Sequence, residues 1–518
     1  MEEANKRIVK NTLYLYLRSL LMVIIGLYTS RVILQALGVE DYGLYGVVGS
    51  VVSMFVIING VLTAGTSRFL TFELGKGDQE RLIKTFNASL TMHTFLALLL
   101  FILLETIGLW FLNYQISIPA GREFAANVVY QLSIFGCMLS LIQVPYSAVI
   151  VSHERMDIVA YVGLLEAFFK LALTFALLYC SFSDNLIAYA LIITIWGIGL
   201  QFWYSFYCTK HFPECKIRIV KEKDMYKGML SYSMWDFIGQ FCASGNSQGA
   251  NILINMFFGV TFNASRAVAY QVENTITQFV NNFMTAVNPQ IVKAYAQNNE
   301  SRFFQLIYES GKFSYFLLFL LTLPIFLEAE YILSLWLVEV PEMAVLFLRW
   351  VMLITLFRII VRPVINGVHA TGDVKTLNLT SGLYSLVTYL PVVFLLYKFG
   401  FPVWCCFVVQ AFNGLVCTIL EIRSLYLKVH FNVSDYIIKV YFHSILVSFI
   451  ASIIPSIIVV LVEPGFDRML LTIIVSIVVT TLCVYYMGLN RSQREGALSF
   501  VNNKLHHFMS ILKANTEV

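Results

Sequence analysis

Long apolar runs separated by short polar connections recur along the whole chain. They fall near residues 13–36, 43–66, 87–112, 128–151, 158–180 and 186–207, and, after a basic connection, near 231–258, 263–288, 314–337, 343–366, 376–398, 402–424, 437–462 and 468–489. About 20 consecutive apolar residues build a helix long enough to cross a bilayer. The pattern therefore predicts an all-α polytopic membrane protein with about 14 transmembrane helices. A membrane barrel would show alternating segments of about ten residues instead.

The runs divide the chain into 1–210 with six spans, a basic linker at 211–230, 231–430 with six more, two further spans in 431–490 and a tail at 491–518. An offset of 221 carries Gly38-Val39 onto Gly259-Val260, and Asp78 and Arg81 onto Asn299 and Arg302; an offset of 216 carries His153 and Asp157 onto His369 and Asp373. Six is an even number, so such a duplication gives two parallel six-helix lobes followed by two extra helices.

Composition agrees: 58% of the 518 residues are hydrophobic and 13% are charged, about half the charge of a soluble domain. A soluble enzyme and a disordered chain are both excluded. Of the 35 basic residues, 25 fall in connections that share one side if the N-terminus is cytoplasmic, and only Arg122, Lys398 and Arg468 fall on the other. Both ends are then cytoplasmic. Phe500, Leu505, Phe508 and Leu512 recur at helical spacing near Lys504 and Lys513, which suits an amphipathic helix on the inner membrane face. The nine Cys show no metal-ligand spacing and read as small apolar residues.

Polar residues interrupt the spans in patterns. Asp236, Gln240, Ser244, Ser247, Asn251 and Asn255 recur every three or four residues on the seventh span, and Arg266, Tyr270, Glu273, Thr277, Asn281, Thr285 and Asn288 do so on the eighth. Lipid leaves such groups unsatisfied at several kcal/mol each, so both stripes point to a hydrated cavity. Arg18 and Arg31 lie on the first span, Glu166 and Lys170 on the fifth, and Arg349, Arg358 and Arg362 on the tenth. Glu166 and Lys170 suit either a helical ion pair or a transport role. Arg358 and Arg362 share a helical face with no acid on their own span, and Arg31 and Arg349 lie nearer the outer interface. The guanidinium excess along these spans favours an anionic, phosphate-bearing cargo. Asp236, Glu273 and Glu166 are the candidates for coupling to a proton or a cation, with salt bridges, such as Glu273 to Arg266 across two turns, as the equal alternative for Asp236 and Glu273. Glu328 and Glu330 sit at the outer end of the ninth span and read as interfacial. Gly245 and Gly249 form a small-x-x-x-small pair suited to close helix packing. No nucleotide-binding loop occurs, and no cofactor, metal or nucleic acid is implied.

The run Ser30-Arg31-Val32-Ile33-Leu34 through Leu37-Gly38-Val39-Glu40-Asp41-Tyr42-Gly43-Leu44-Tyr45 resembles the opening of bacterial polysaccharide and oligosaccharide-lipid flippases of the multidrug/oligosaccharidyl-lipid/polysaccharide exporter superfamily. Tyr146-Ser147-Ala148 with His153-Glu154-Arg155-Met156, Asn288-Pro289-Gln290-Ile291-Val292-Lys293, Trp336-Leu337 with Val340-Pro341, and Ala370-Thr371-Gly372 continue the likeness in order. The resemblance implies two six-helix lobes around a central cavity in the bacterial inner membrane. It also implies a non-enzymatic transporter that moves a polyprenyl-diphosphate-linked glycan to the outer leaflet for O-antigen or capsule assembly, with membrane lipids and a glycan polymerase as partners. Arg18, Arg266 and Arg358 are then the first candidates for the cationic cavity, with Arg362 and Lys170 beside them. A cation-coupled drug exporter of the same superfamily and a membrane glycan polymerase or ligase are the alternatives. The latter would carry its catalytic groups in a sizeable outer loop, and no connection here is long enough.

Overall fold

The computed structural model describes residues 2–495 except 54–55, 115–117, 119–120, 181, 338 and 492. The expected amphipathic tail helix lies outside the described residues. The helices are α1 (Glu2–Ser53), α2 (Val56–Lys76), α3 (Gln79–Tyr114), α4 (Glu123–Ser152), α5 (Met156–Tyr179), α6 (Asn185–His211), α7 (Lys223–Phe258), α8 (Val260–Ala296), α9 (Glu300–Leu327), α10 (Ala329–Trp336), α11 (Ala344–Ile359), α12 (Arg362–Thr371), α13 (Lys375–Lys398), α14 (Cys405–Val429), α15 (Val433–Leu461) and α16 (Phe466–Gly488). Among the described residues there is no strand. Nine of these helices are long and apolar enough to cross a membrane, or ten if α11 and α12, bent by 44°, form one span. The protein is thus an all-α multi-pass membrane protein. The first, second, seventh and eighth expected spans are helical too but fall within α1, α2, α7 and α8, which are not among those nine.

Local chemistry reproduces the offset seen in the sequence. Gly38 (φ 79°), at a kink within α1, and Gly259 (φ 88°), between α7 and α8, occupy the positive-φ region, where a residue without Cβ is favoured. Asp78 accepts a hydrogen bond from the Arg81 N–H (3.0 Å), and Asn299 accepts one from the Arg302 N–H (3.1 Å). Each thereby caps the helix that follows.

Packing forms two groups. α1 packs on α5, and α4 on α2, α3 and α6. In the second group α8 packs on α9 and α11, while α13 joins α7 to α14. Gly245 and Gly249 receive Leu386 and Leu390 of α13, as the small-residue pair predicts. The connections rich in Lys and Arg lie at one end of the bundle, called the basic end below. At the opposite end Arg122 pairs with Asp41 (2.5 Å) and Asp184 (2.6 Å), tying α1 just past its kink to the starts of α4 and α6; Asp184 also caps α6.

Glu328, expected at the outer end of the ninth span, is held there by protein contacts. It is 1% exposed and bonds to Arg468 (2.8 Å) and Thr472 (2.9 Å) of α16. The pair fastens the last helix to the end of α9. Arg468→Leu would strand a buried carboxylate, at an expected cost of about 3–5 kcal/mol. Thermal unfolding in detergent should show a clearly lowered midpoint, and an unchanged midpoint would contradict this role.

Candidate functional site

The two groups meet along α1 and α2 on one side and α7 and α8 on the other. At the basic end the junction is polar and buried. Glu154, held at φ 60° and 7% exposed, pairs with Lys293 and accepts a hydrogen bond from Gln290 (2.5 Å). Its carbonyl accepts from Asn11 Nδ2 (3.0 Å). Arg68 is 9% exposed, donates to the Ala370 carbonyl (2.9 Å) and stacks on Phe69 and Phe72. Phe69 meets Tyr232 edge-on, and Phe72 lies against Tyr295. Two separated motifs, His153-Glu154 and Gln290 to Lys293, therefore meet across the junction, and Ala370-Thr371-Gly372 receives Arg68. Further from the basic end, Asn282 donates to Ser19 Oγ (2.7 Å) and Tyr16 meets Phe279. Beyond that level α8 exposes Gln271, Asn274, Thr275 and Gln278.

The stripe on the seventh span does not stay on one face. From Asp236 to Asn255 it winds about 100° past five full turns, so its members reach different surroundings. Asp236 is buried at the junction, where its Oδ1 lies 3.9 Å from His369 Nε2; its Oδ2 has no hydrogen-bond partner. His369 Nδ1 is hydrogen-bonded to the Tyr232 hydroxyl (2.7 Å). Gln240, Ser247 and Asn255 are exposed, whereas Ser244 and Asn251 are half-buried. On α8, Arg266 is 5% exposed; it donates to Asn251 and lies over the Tyr270 ring at 4.5 Å. Tyr270 donates to Gln410 (3.2 Å), and Glu273 accepts from Thr355 (3.1 Å). Arg266, Tyr270 and Glu273 thus turn inward among α7, α11 and α14. Thr277 is half-buried and returns its hydroxyl to the Glu273 carbonyl, and Asn281 is exposed.

The expected cations separate in the same way. Arg358 is not free: both its terminal nitrogens donate to Glu421 of α14 at 2.8 Å, and Thr418 accepts a third bond at 2.9 Å. Nor do Arg358 and Arg362 share a face. The helix breaks at residues 360–361, because Pro363 at the start of α12 has no N–H to continue it. Arg362 stands at that break with its side chain exposed, within electrostatic reach of His369 and Glu421. Lys170 pairs with Glu166 at 2.8 Å. Arg18 is half-buried against Gly163 of α5, with Nε 3.3 Å from Met22 Sδ. Arg349 donates to the Phe326 carbonyl (3.2 Å). Asn366, one turn after Arg362, donates to Asn288 (2.6 Å), while Ser19, next to Arg18, is bonded to Asn282. Arg18 and Arg362 therefore stand at about the same depth on either side of α8, and among the described residues neither has a carboxylate at ion-pair distance.

Arg358→Ala should destabilise the protein by about 3–5 kcal/mol by leaving Glu421, 4% exposed, buried without its partner. Arg362→Ala should stay within about 0.5 kcal/mol. Thermal unfolding of both variants checks the contrast, and equal losses would contradict it.

Comparison with known proteins agrees with this architecture. A multidrug resistance MATE family transporter of the MOP superfamily, solved in an outward-facing conformation, superposes with a TM-score of 0.69 at 14% identity, over 82% of this chain and 96% of that one. A MATE protein solved in the straight conformation gives 0.69 at 14% identity, again over 82% and 96%. A MOP superfamily transporter from Pyrococcus furiosus, described as having a binding pocket of reverse polarity that suggests a different function, gives 0.68 at 14% identity over 84% and 96%. These likenesses establish a shared fold. A search of curated proteins gives no match. Residues 8–295, more than half of the chain, match the family described as polysaccharide biosynthesis protein. The chain, built on the fold of the MOP superfamily transporters, belongs to the polysaccharide biosynthesis protein family.

Proposed function

We propose that the protein is a flippase that carries a polyprenyl-diphosphate-linked oligosaccharide from the cytoplasmic to the outer leaflet of a bacterial inner membrane. The observation that carries this reading is the placement of Arg18 and Arg362. Two guanidinium groups without carboxylate partners, at one depth beside a helix that exposes Gln271, Asn274 and Gln278, suit a diphosphate and its sugars. Arginine binds phosphate oxygens in bidentate fashion, and amide side chains both donate to and accept from sugar hydroxyls.

In this reading the basic end faces the cytoplasm, and residues 1–210 and 231–430 are the two moving lobes. Glu154, Lys293, Gln290 and Arg68 close the cytoplasmic side in the state seen here, leaving the α8 amide face toward the outer side. Asp236 is the group through which a proton or sodium gradient would act. It lies at the junction, so withdrawal of Arg68 on opening changes the charge around it and His369. A glycan polymerase or ligase on the outer face is the kind of partner that consumes the product, for O-antigen or capsule.

A second reading, a cation-coupled drug exporter, is supported by the fold shared with MATE transporters. Two unpaired arginines disfavour a cationic drug, and that disfavours this reading. Arg18→Ala and Arg362→Ala are each expected to lower surface glycan roughly 10- to 100-fold, the weight of a lost charge-assisted pair, with the protein still present in the membrane. Full glycan export by both variants, or drug sensitivity as the defect instead, would remove the proposed site.

A further inference from the structure

Between α6 and α7 the chain passes through Lys216, Ile217, Arg218 and Ile219, in which basic and apolar side chains alternate, and then through Val220 and Lys221. The backbone is extended at Lys216 (φ −70°, ψ 124°) and again at Glu222 (φ −76°, ψ 98°). Extended backbone sends neighbouring side chains to opposite sides, so Ile217 and Ile219 share one side and Lys216 and Arg218 the other. The two isoleucines are 77% and 89% exposed.

This segment is pinned in place. Asn87 of α3, 2% exposed, donates from Nδ2 to the Lys216 carbonyl (2.9 Å) and accepts from the Arg218 N–H (2.7 Å), as a neighbouring strand would. One turn earlier on α3, Lys84 pairs with Glu222 (2.8 Å). The height of these anchors follows from the length of α3. Its 36 residues extend about 54 Å, against a hydrocarbon core of about 30 Å, so one end projects beyond it. The first two turns carry Glu80, Arg81 and Lys84, and further along Phe95, Leu98 and Leu99 are exposed. Asn87 lies about 12 Å along the helix from Gln79, where charge gives way to apolar surface. In an embedded chain a boundary of this kind sits near the lipid headgroups.

The charge there is one-sided. Lys216, Arg218, Lys221, Lys223 and Lys227 are all exposed. Of the nearby acids, Glu222 and Glu80 share Lys84, and Glu214, 1% exposed, is paired with His153 (2.5 Å); Asp224 is left. His153 and the Glu214 N–H outweigh the burial that opposes ionisation, so the Glu214 carboxyl is held below its ordinary value and stays charged and committed. At the start of α7, Lys223, Tyr226 and Lys227 continue the surface into an open groove of about 510 Å³ that is floored by Leu230 and Met234.

We infer that this pinned linker is a binding site for anionic phospholipid, with phosphodiester headgroups against Lys216 and Arg218, joined by exposed Lys221 beyond the alternating stretch, and with Ile217 and Ile219 entering the acyl boundary. Water is a poor solvent for two fully presented isoleucines, and the acyl boundary is a good one. A row of basic residues at headgroup height attracts negative lipid. The inference needs only the membrane embedding of the chain and does not depend on the cargo.

Native mass spectrometry of the full chain in non-ionic detergent, titrated separately with phosphatidylglycerol and phosphatidylcholine, tests it. The unaltered protein should retain phosphatidylglycerol more strongly by at least about tenfold. Each basic residue contributes on the order of fivefold, so Lys216→Gln, Arg218→Gln and Lys221→Gln together should lower its retention by about 100-fold. Ile217→Ser with Ile219→Ser should weaken both lipids. Equal retention of the two lipids by the unaltered protein would overturn the inference without recourse to any variant. Undiminished phosphatidylglycerol binding by the triple variant would do the same, as would displacement of the lipid by inorganic pyrophosphate, which would make the surface a site for free diphosphate. Melting of each variant in detergent confirms that it is folded.

Discussion

A charge in the hydrocarbon core has to be met by protein or water, because lipid offers it nothing. That constraint organises the spans of this protein. Glu421 meets Arg358 through two hydrogen bonds, Glu328 meets Arg468, and Glu166 meets Lys170. The first two hold a buried carboxylate, so each is costly to break and adds little when intact beyond neutralising its partner. The first two join helices that would otherwise have only apolar contacts. What remains after pairing among the described residues, chiefly Arg18, Arg362 and the half-satisfied Asp236, has to be answered by water or by a ligand, and the proposed function rests on these residues.

The junction at the basic end follows from the same rule. Glu154, Lys293, Gln290, Arg68 and the Ala370 carbonyl satisfy one another across two halves whose other contacts there are ring edges and glycine surfaces. Gly75 admits Ala296 and the backbone of Lys293. A seam of polar contacts separates more readily than a fused apolar core, since water replaces the lost hydrogen bonds as it opens. The largest apolar cluster lies mainly in the second half and reaches across to Ile8 and Phe72 of the first.

Much of this was legible in the sequence. The apolar runs located the helices, and the matched glycines and caps at an offset of 221 marked real turns, because a positive-φ break and an N-cap are local chemistry. The pairing of Arg358 was not legible. Its partner Glu421 lies 63 residues away on another helix, and only three-dimensional packing brings them together. The polar stripe of the seventh span misled for a geometric reason: a mean spacing a little above 3.6 winds around a helix over five turns, sending Asp236 to the junction and Asn251 to Arg266. The exposed face of α8, with Gln271, Asn274 and Gln278, lies about 100° from the line that was picked out. Glu154 and Gln290 to Lys293 were visible as motifs, but nothing in their separation of more than 130 residues indicated that they touch.

The central claim is that the two unpaired arginines serve a diphosphate-bearing lipid glycan. Mass spectrometry of the lipid that co-purifies with the protein from its own cells tests it most directly. The account predicts a polyprenyl-diphosphate carrying an oligosaccharide, present with the unaltered protein and depleted when Arg18 and Arg362 are both replaced by Ala. Recovery of phospholipid alone, or of a sugar-free hydrophobic cation in its place, would contradict it.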